Sequence, residues 1–213
     1  MKVAIIGASG FVGTPLTREA LSRGHQVTAI VRNPEKILVK DPHLSVVKGD
    51  VFQADQISAL VKGHEAVISA YNAGWGNPNL YTDFLTGSKD IQEATRKAGV
   101  KRFLVVGGAG SLEVSPGLQI VDSPTFPDAY KPVALAHRDA FHILRASDLN
   151  WTYFSPAMMI QPGERTGKFR LGKDALVSDD KGNSAISAED YAIALVDEVE
   201  QGRHTRQRFT IGY

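Results

Sequence analysis

Residues 7–13 read GASGFVG, between an apolar run at 3–6 and a stretch of helical pattern that starts near residue 12. The order apolar strand, glycine loop, helix is what gives the glycines meaning. Gly7 allows a tight turn, Gly10 lets the backbone approach a ligand closely, and Gly13 lets the helix pack against the strand. The free amide groups at the helix N-terminus then face outward, where they suit the pyrophosphate of a dinucleotide. A glycine-rich turn with no ligand has the same composition; the position between the first strand and the first helix of a βαβ unit favours the binding site.

Outward from this loop, short apolar runs at 3–6, 26–31, 44–47, 65–68, 102–106 and 151–154 alternate with helical patterns near 12–23, 55–62, 79–98 and 132–146. Several of the runs are apolar on both faces, as strands covered on both sides require. The alternation predicts right-handed βαβ crossovers, hence an α/β fold: a Rossmann-type doubly wound parallel sheet flanked by helices. After Pro156 the pattern loosens, and 161–184 reads as loops and small strands outside the main sheet. Ser187 has the spacing of an N-cap with Asp190 three positions on, opening a helix, and the chain closes in a strand. The expectation is one Rossmann domain over 1–213, with about 157–185 and the C-terminal strand forming a small substrate-side lobe.

Composition narrows the partners. The 213 residues include 43% hydrophobic and 22% charged, enough to bury a full core. A net charge of +1 with no block of like charge gives no reason to invoke nucleic acid or an anionic membrane, so a small molecule is the expected partner. Oligomeric state is not written in the sequence. Cysteine is absent, which excludes disulfides and thiol chemistry. No histidine cluster has metal-ligand spacing, so no metal is expected. No run approaches the ~20 apolar residues of a membrane span, and the interrupted opening is a poor signal peptide, so the expected location is the cytoplasm.

The second strand ends at Val31 and Arg32 follows, where a carboxylate would mark a preference for NAD. A guanidinium there suits a 2′-phosphate, so NADP(H) is the preferred cofactor and NAD(H) a possible one; a solvated loop arginine or one stacked on adenine is the alternative. Asp50, after the third strand, is placed to accept from the adenine amine, to cap the next helix, or both. Ala70 and Tyr71 follow the fourth strand, at the sheet edge where ligands of this fold collect.

GASGFVG, Arg32, GDV at 49–51, WTYFSPA at 151–157 and ISAEDYA at 186–192 together resemble the short-chain dehydrogenase/reductase superfamily. They are most similar to its atypical members related to biliverdin reductase B, which is also a flavin reductase, and to bacterial NADH-flavin reductases. GERTG at 163–167 followed by ISAEDYA carries the more specific part of the likeness, which also extends to NAD-dependent epimerase/dehydratase-like proteins. The resemblance implies that Gly7, Ser9, Gly10, Phe11, Val12, Gly13, Arg32, Asp50 and Val51 line the cofactor site. It implies that Ala70, Tyr71, Gly107, Gly108, Pro156 and Ala157 approach the nicotinamide.

The sequence departs from that superfamily where its proton relay belongs. A serine or threonine is expected at the end of the fifth strand, and Gly108 stands there. Tyr130 lies at a plausible distance downstream, but its fourth successor is Ala134 instead of lysine. Tyr130 and Lys131 are expected in the loop before the helix, because residues before a proline avoid helical geometry. Tyr130 is the one candidate catalytic residue, with a packing role as the alternative, and His137 reads as a surface or core residue. A phenol without its lysine titrates near ~10 and is a poor base. Reactions that need a placed acid or base are therefore disfavoured, whereas hydride transfer to a flavin taken as substrate, a quinone or a similar flat acceptor remains open. Trp75, Tyr81, Met158 and Met159 are the candidate acceptor contacts, Trp75 alternatively pinning a loop. An epimerase, dehydratase or carbonyl reductase using Tyr130, and an NADPH-binding redox sensor without turnover, are the competing expectations.

Overall fold

A computed structural model describes all residues, 1–213. β1 (Lys2–Ile6), β2 (Gln26–Val31), β3 (Leu44–Lys48), β4 (Ala66–Ser69), β5 (Arg102–Val106) and β8 (Trp151–Ser155) form within a residue or two of the expected runs. Helices α1 (Gly13–Ser22), α2 (Ala54–Val61), α3 (Leu80–Lys97) and α4 (Lys131–Arg145) fall between them. Together with β10 (Arg170–Gly172) and β12 (Gln207–Gly212) the strands build an eight-stranded sheet in the order β10-β12-β8-β5-β4-β1-β2-β3. Every pairing is parallel except that of β10 with β12. The order reverses between β1 and β4, and that reversal leaves a crevice beyond the carboxyl ends of both strands.

Alternation along the strands loads both faces. Val3 and Ile5 of β1 join a core with Leu16, Ala20, Phe154, Tyr191, Leu195 and Phe209 under α1 and α5 (Ala188–Gln201). Ala4 and Ile6 join the opposite core with Ile57, Ile91, Phe103, Phe141 and Trp151 under α2, α3 and α4. Both covers are helical, which is why the strands read as nearly continuous apolar runs.

Three expectations need correction. The C-terminal strand, β12, is a member of the main sheet: it pairs in parallel with β8 and buries Phe209 and Ile211, so it does not belong to the small lobe. β10 likewise extends the main sheet at its edge instead of lying outside it. Lys131 is the first residue of α4, with φ −57 and ψ −45, and Tyr130 ends a 3-10 turn over Asp128–Tyr130 that runs straight into the helix. A proline in the first turn sacrifices no helical hydrogen bond, so the turn and the helix merge there.

Beyond the expected elements, β6 (Glu113–Ser115) and β7 (Leu118–Gln119) form a hairpin turned at Gly117, φ +79. β9 (Met159–Gln161) pairs in parallel with β11 (Ala185–Ser187). Ser187 caps α5 as its spacing predicts, its Oγ accepting from the Asp190 amide at 3.0 Å, and Gly202 closes the helix at φ +60.

Candidate active site

The glycines of the first loop are fixed by contact. A Cβ on Gly13 would stand 2.1 Å from the Gly7 carbonyl oxygen, and one on Gly7 would stand 2.5 Å from that of Ala70. Gly7 also takes φ +81, so the turn needs glycine twice over. Gly10 is exposed and faces outward. The amides of Ser9, Phe11, Val12 and Gly13 donate to no group in the chain, and α1 begins with no capping side chain and no acidic residue in its first turn. Four unsatisfied donors at the positive end of a helix dipole fit the pyrophosphate of a dinucleotide.

Around this cradle, the exposed Arg32 guanidinium makes no hydrogen bond or ion pair within the chain. Asp50 does not cap α2, whose N-cap position is Gln53 and which has no side-chain cap. Its Oδ1 accepts from the Phe52 amide at 3.1 Å and shapes the turn before the helix, while Val51 is buried in the core beneath.

Beyond the cradle, an open cavity of about 870 Å³ runs along the carboxyl edge of the sheet. Its lining brings together Gly10, Phe11, Val12, Ala70, Tyr71, Trp75, Gly107, Gly108, Tyr130, Pro156, Ala157, Met158 and Met159 of the expected set. Tyr81 is not among them. Its hydroxyl donates to Asp139 Oδ2 at 2.6 Å and ties α3 to α4, a partner 58 positions away that no local pattern announces. Sequence reasoning also missed the wall contributed by 109–127, where Val114, Ile120, Phe126 and Pro127 face the cavity. The signal available was Pro116-Gly117 flanked by apolar residues, the mark of a hairpin.

The phenols of the site differ in what they can do. Tyr71 donates to the Asp83 carbonyl at 3.0 Å, stacks on Phe84 and packs on Gly87; burial pushes its pKa to about 12. Tyr191 donates to the Phe154 carbonyl at 2.6 Å and burial likewise raises its pKa. Tyr153, behind the cavity floor, donates to the His137 carbonyl at 3.2 Å and accepts from the Gly108 amide at 3.1 Å; burial pushes it up to about 12. Tyr130 alone has a hydroxyl without a partner. It is exposed, and its ring meets Trp75 edge to face at 5.9 Å between centroids.

His137, read as a surface or core residue, packs into the core against Phe84 and also lines the cavity beside Gly108. A Cβ on Gly108 would sit 3.0 Å from His137 Cβ and Cγ, so the imidazole occupies the space that a hydroxyl-bearing side chain would need. Its Nδ1 is buried without a partner, its ring lies against Phe84 at 4.2 Å, and burial lowers its pKa to about 4. The imidazole is neutral over the physiological range. Ala134 packs its Cβ against Gly110 where a lysine would have to stand. Lys131 points elsewhere, 3.6 Å from Asp128.

The GERTG segment, just after β9, is a clasp onto α1 and α5. Arg165 grips the buried Glu19 of α1 with Nε and Nη2 at 2.8 and 2.9 Å, and this pair holds the Glu19 carboxyl below the usual carboxylate range. Asp190, fully buried at the start of α5, accepts from the Gly167 amide at 2.8 Å, the Thr166 hydroxyl at 2.5 Å and the Tyr213 hydroxyl at 2.9 Å. In this chain GERTG thus supplies the donors and ISAEDYA the carboxylate that accepts them.

No helix is long and apolar enough to cross a membrane. Nor does any group of three or more His, Cys, Asp or Glu side chains converge on a point that could hold a metal ion.

Sheet order, glycine cradle and the cavity beside it define a Rossmann protein of the NAD(P)H-dependent oxidoreductase type. The chain belongs to the NAD(P)H-binding family, whose model matches residues 7–201. It is similar over its full length to three solved structures. A Burkholderia pseudomallei protein provisionally called exported is 50% identical, with a TM-score of 0.89 and 100% of that chain covered. A Bacteroides thetaiotaomicron protein provisionally called an epimerase is 47% identical, with a TM-score of 0.93 and 96% covered. A Streptococcus pneumoniae protein provisionally called an NADH-flavin reductase is 39% identical, with a TM-score of 0.87 and 99% covered.

Proposed function

We propose that the protein transfers hydride from NADPH to a flat aromatic acceptor, a flavin or a quinone, that is bound as substrate and released. The observation that carries this reading is the polar inventory of the cavity. It holds no lysine or carboxylate, its buried phenols are committed to backbone carbonyls, and Gly108 and Ala134 stand where a relay would need side chains. Reduction of an isolated carbonyl or epimerisation needs a placed acid or base, worth ~10² to 10⁴ in rate. A flavin or quinone spreads the charge of the added hydride over its rings and takes the one proton that completes the reduction from water.

In this reading the amides of Ser9 and Phe11 to Gly13 hold the pyrophosphate, and Arg32 meets the 2′-phosphate. Asp50 and Val51 border the adenine, while Ala70, Tyr71, Gly107, Gly108, Pro156 and Ala157 frame the nicotinamide, which supplies the hydride. Trp75, Met158 and Met159 offer rings and thioethers to the acceptor, groups that adapt to flat ligands. The protein's own contribution is to hold two ring systems in place and keep bulk water from between them.

Loss of NADPH absorbance on adding flavin or naphthoquinone tests the reading, with NADH as the control. Arg32→Ala should weaken NADPH binding by roughly 10- to 100-fold, the value of a charge-assisted contact, and leave NADH nearly unchanged. Equal losses for both cofactors would remove Arg32 from the 2′-phosphate. Tight NADPH binding with no turnover on any flat acceptor would sink the reductase.

A second reading has one observation in its favour: the Tyr130 hydroxyl is unpartnered and lines the same cavity. It assigns Tyr130 as the acid of a carbonyl reductase or epimerase.

A further inference from the structure

We infer that the acceptor taken by this cavity is an uncharged molecule: a quinone, or an isoalloxazine that carries no phosphate. The inference deepens the reductase reading and rests on it for the reaction, though not for the ligand's charge.

Among the residues that line the 870 Å³ cavity there is no Asp, Glu, Lys or Arg. The cations that follow the lining in the chain are already engaged. Arg138, next to His137, pairs with Asp122 at 3.1 Å, and Lys131, next to Tyr130, pairs with Asp128. Arg208 reaches toward the 109–127 wall, but it pairs with Asp174 at 2.6 Å and donates to the Ser111 carbonyl. The imidazole of His137, the only ionisable nitrogen in the lining, is held neutral by burial.

Away from the Gly10–Val12 backbone, where the cofactor's pyrophosphate is assigned, a phosphate, sulfonate or carboxylate drawn out of water into this cavity would gain no counter-charge, which disfavours it strongly. The polar groups present are neutral ones suited to a ring carbonyl: the side chains of Asn72, Ser123, Thr125 and Tyr130, and the Ala109 amide, which donates to no group in the chain. Val114, Ile120 and Phe126 of that wall, with Met158 and Met159 from the segment after β8, add apolar surface matched to a bare ring system.

Calorimetric titration of the NADP⁺-loaded protein with naphthoquinone and with naphthoquinone sulfonate separates the two charges on one ring. The neutral quinone should bind at least ~10-fold more tightly, since the sulfonate alone bears the desolvation penalty. Met159→Lys should shift the ratio toward the sulfonate. Equal or tighter sulfonate binding by the unaltered protein would overturn the inference, as would failure of the neutral quinone to bind. Preferential binding of the neutral quinone without NADPH oxidation would uphold it while refuting the reductase reading.

Discussion

Gly108 leaves no room for the side chain that a conventional relay would require there. A Cβ at that position would stand 3.0 Å from His137, whose ring is itself held against Phe84. Gly108→Ser should therefore fail to restore a working hydroxyl and should destabilise the fold by ~1–3 kcal/mol through overpacking, read as a lower urea midpoint at unchanged slope. His137 gives a second test at this scale. Its pKa lies near 4 in the folded chain against an ordinary 6.5, because burial penalises the cation. The unfolded chain thus binds the extra proton first, so the stability this residue permits is complete above about 6.5 and is lost as pH falls from there toward about 4. An NMR titration of the ring should show a midpoint near the lower value, and a midpoint near 6.5 would contradict the buried placement. Position 108 was legible in the sequence as a departure from a pattern. His137 was not, because nothing local says that a helix residue will fill the space a glycine leaves 29 positions earlier.

At the scale of elements, the first loop and α1 are the part most fully written in the sequence, since each glycine there answers a contact within the same loop or with its neighbouring strand. The clasp is the opposite case. Arg165 meets Glu19 and Thr166 meets Asp190 across separations of 146 and 24 positions, and such pairings cannot be read from periodicity. β12 shows the same limit: its apolar run predicts a strand, but only the position beside β8 tells which sheet it joins. Asp190→Ala would leave the Gly167 amide and the Thr166 and Tyr213 hydroxyls without their acceptor. The acceptor is a buried carboxylate while the donors lie at the surface, so the three bonds together are worth ~1–3 kcal/mol. The expected result is a loss of that order in denaturant unfolding, together with faster proteolysis within 159–175. Unchanged stability would show that the clasp does not hold the segment after β9 to α5.

Over the whole molecule, the sheet order places Gly7, Ala70, Gly107 and Pro156, each just beyond the carboxyl end of a strand, along one crevice. The crevice keeps a cradle for a dinucleotide at one end and a broad neutral cavity at the other, with Tyr130 as its single free phenol. The account makes hydride delivery the protein's task and leaves proton supply to water. The measurement that bears on it most directly is the NADPH-driven reduction of naphthoquinone by the unaltered protein and by Tyr130→Phe, side by side. Turnover by both, with kcat/KM within roughly tenfold, is the expected result, because loss of one neutral hydrogen bond to the acceptor costs ~0.5–1.5 kcal/mol, far less than the ~10² of a placed acid. Turnover by the unaltered protein that falls by ~10² or more in the variant would make Tyr130 the acid of the reaction and contradict the account.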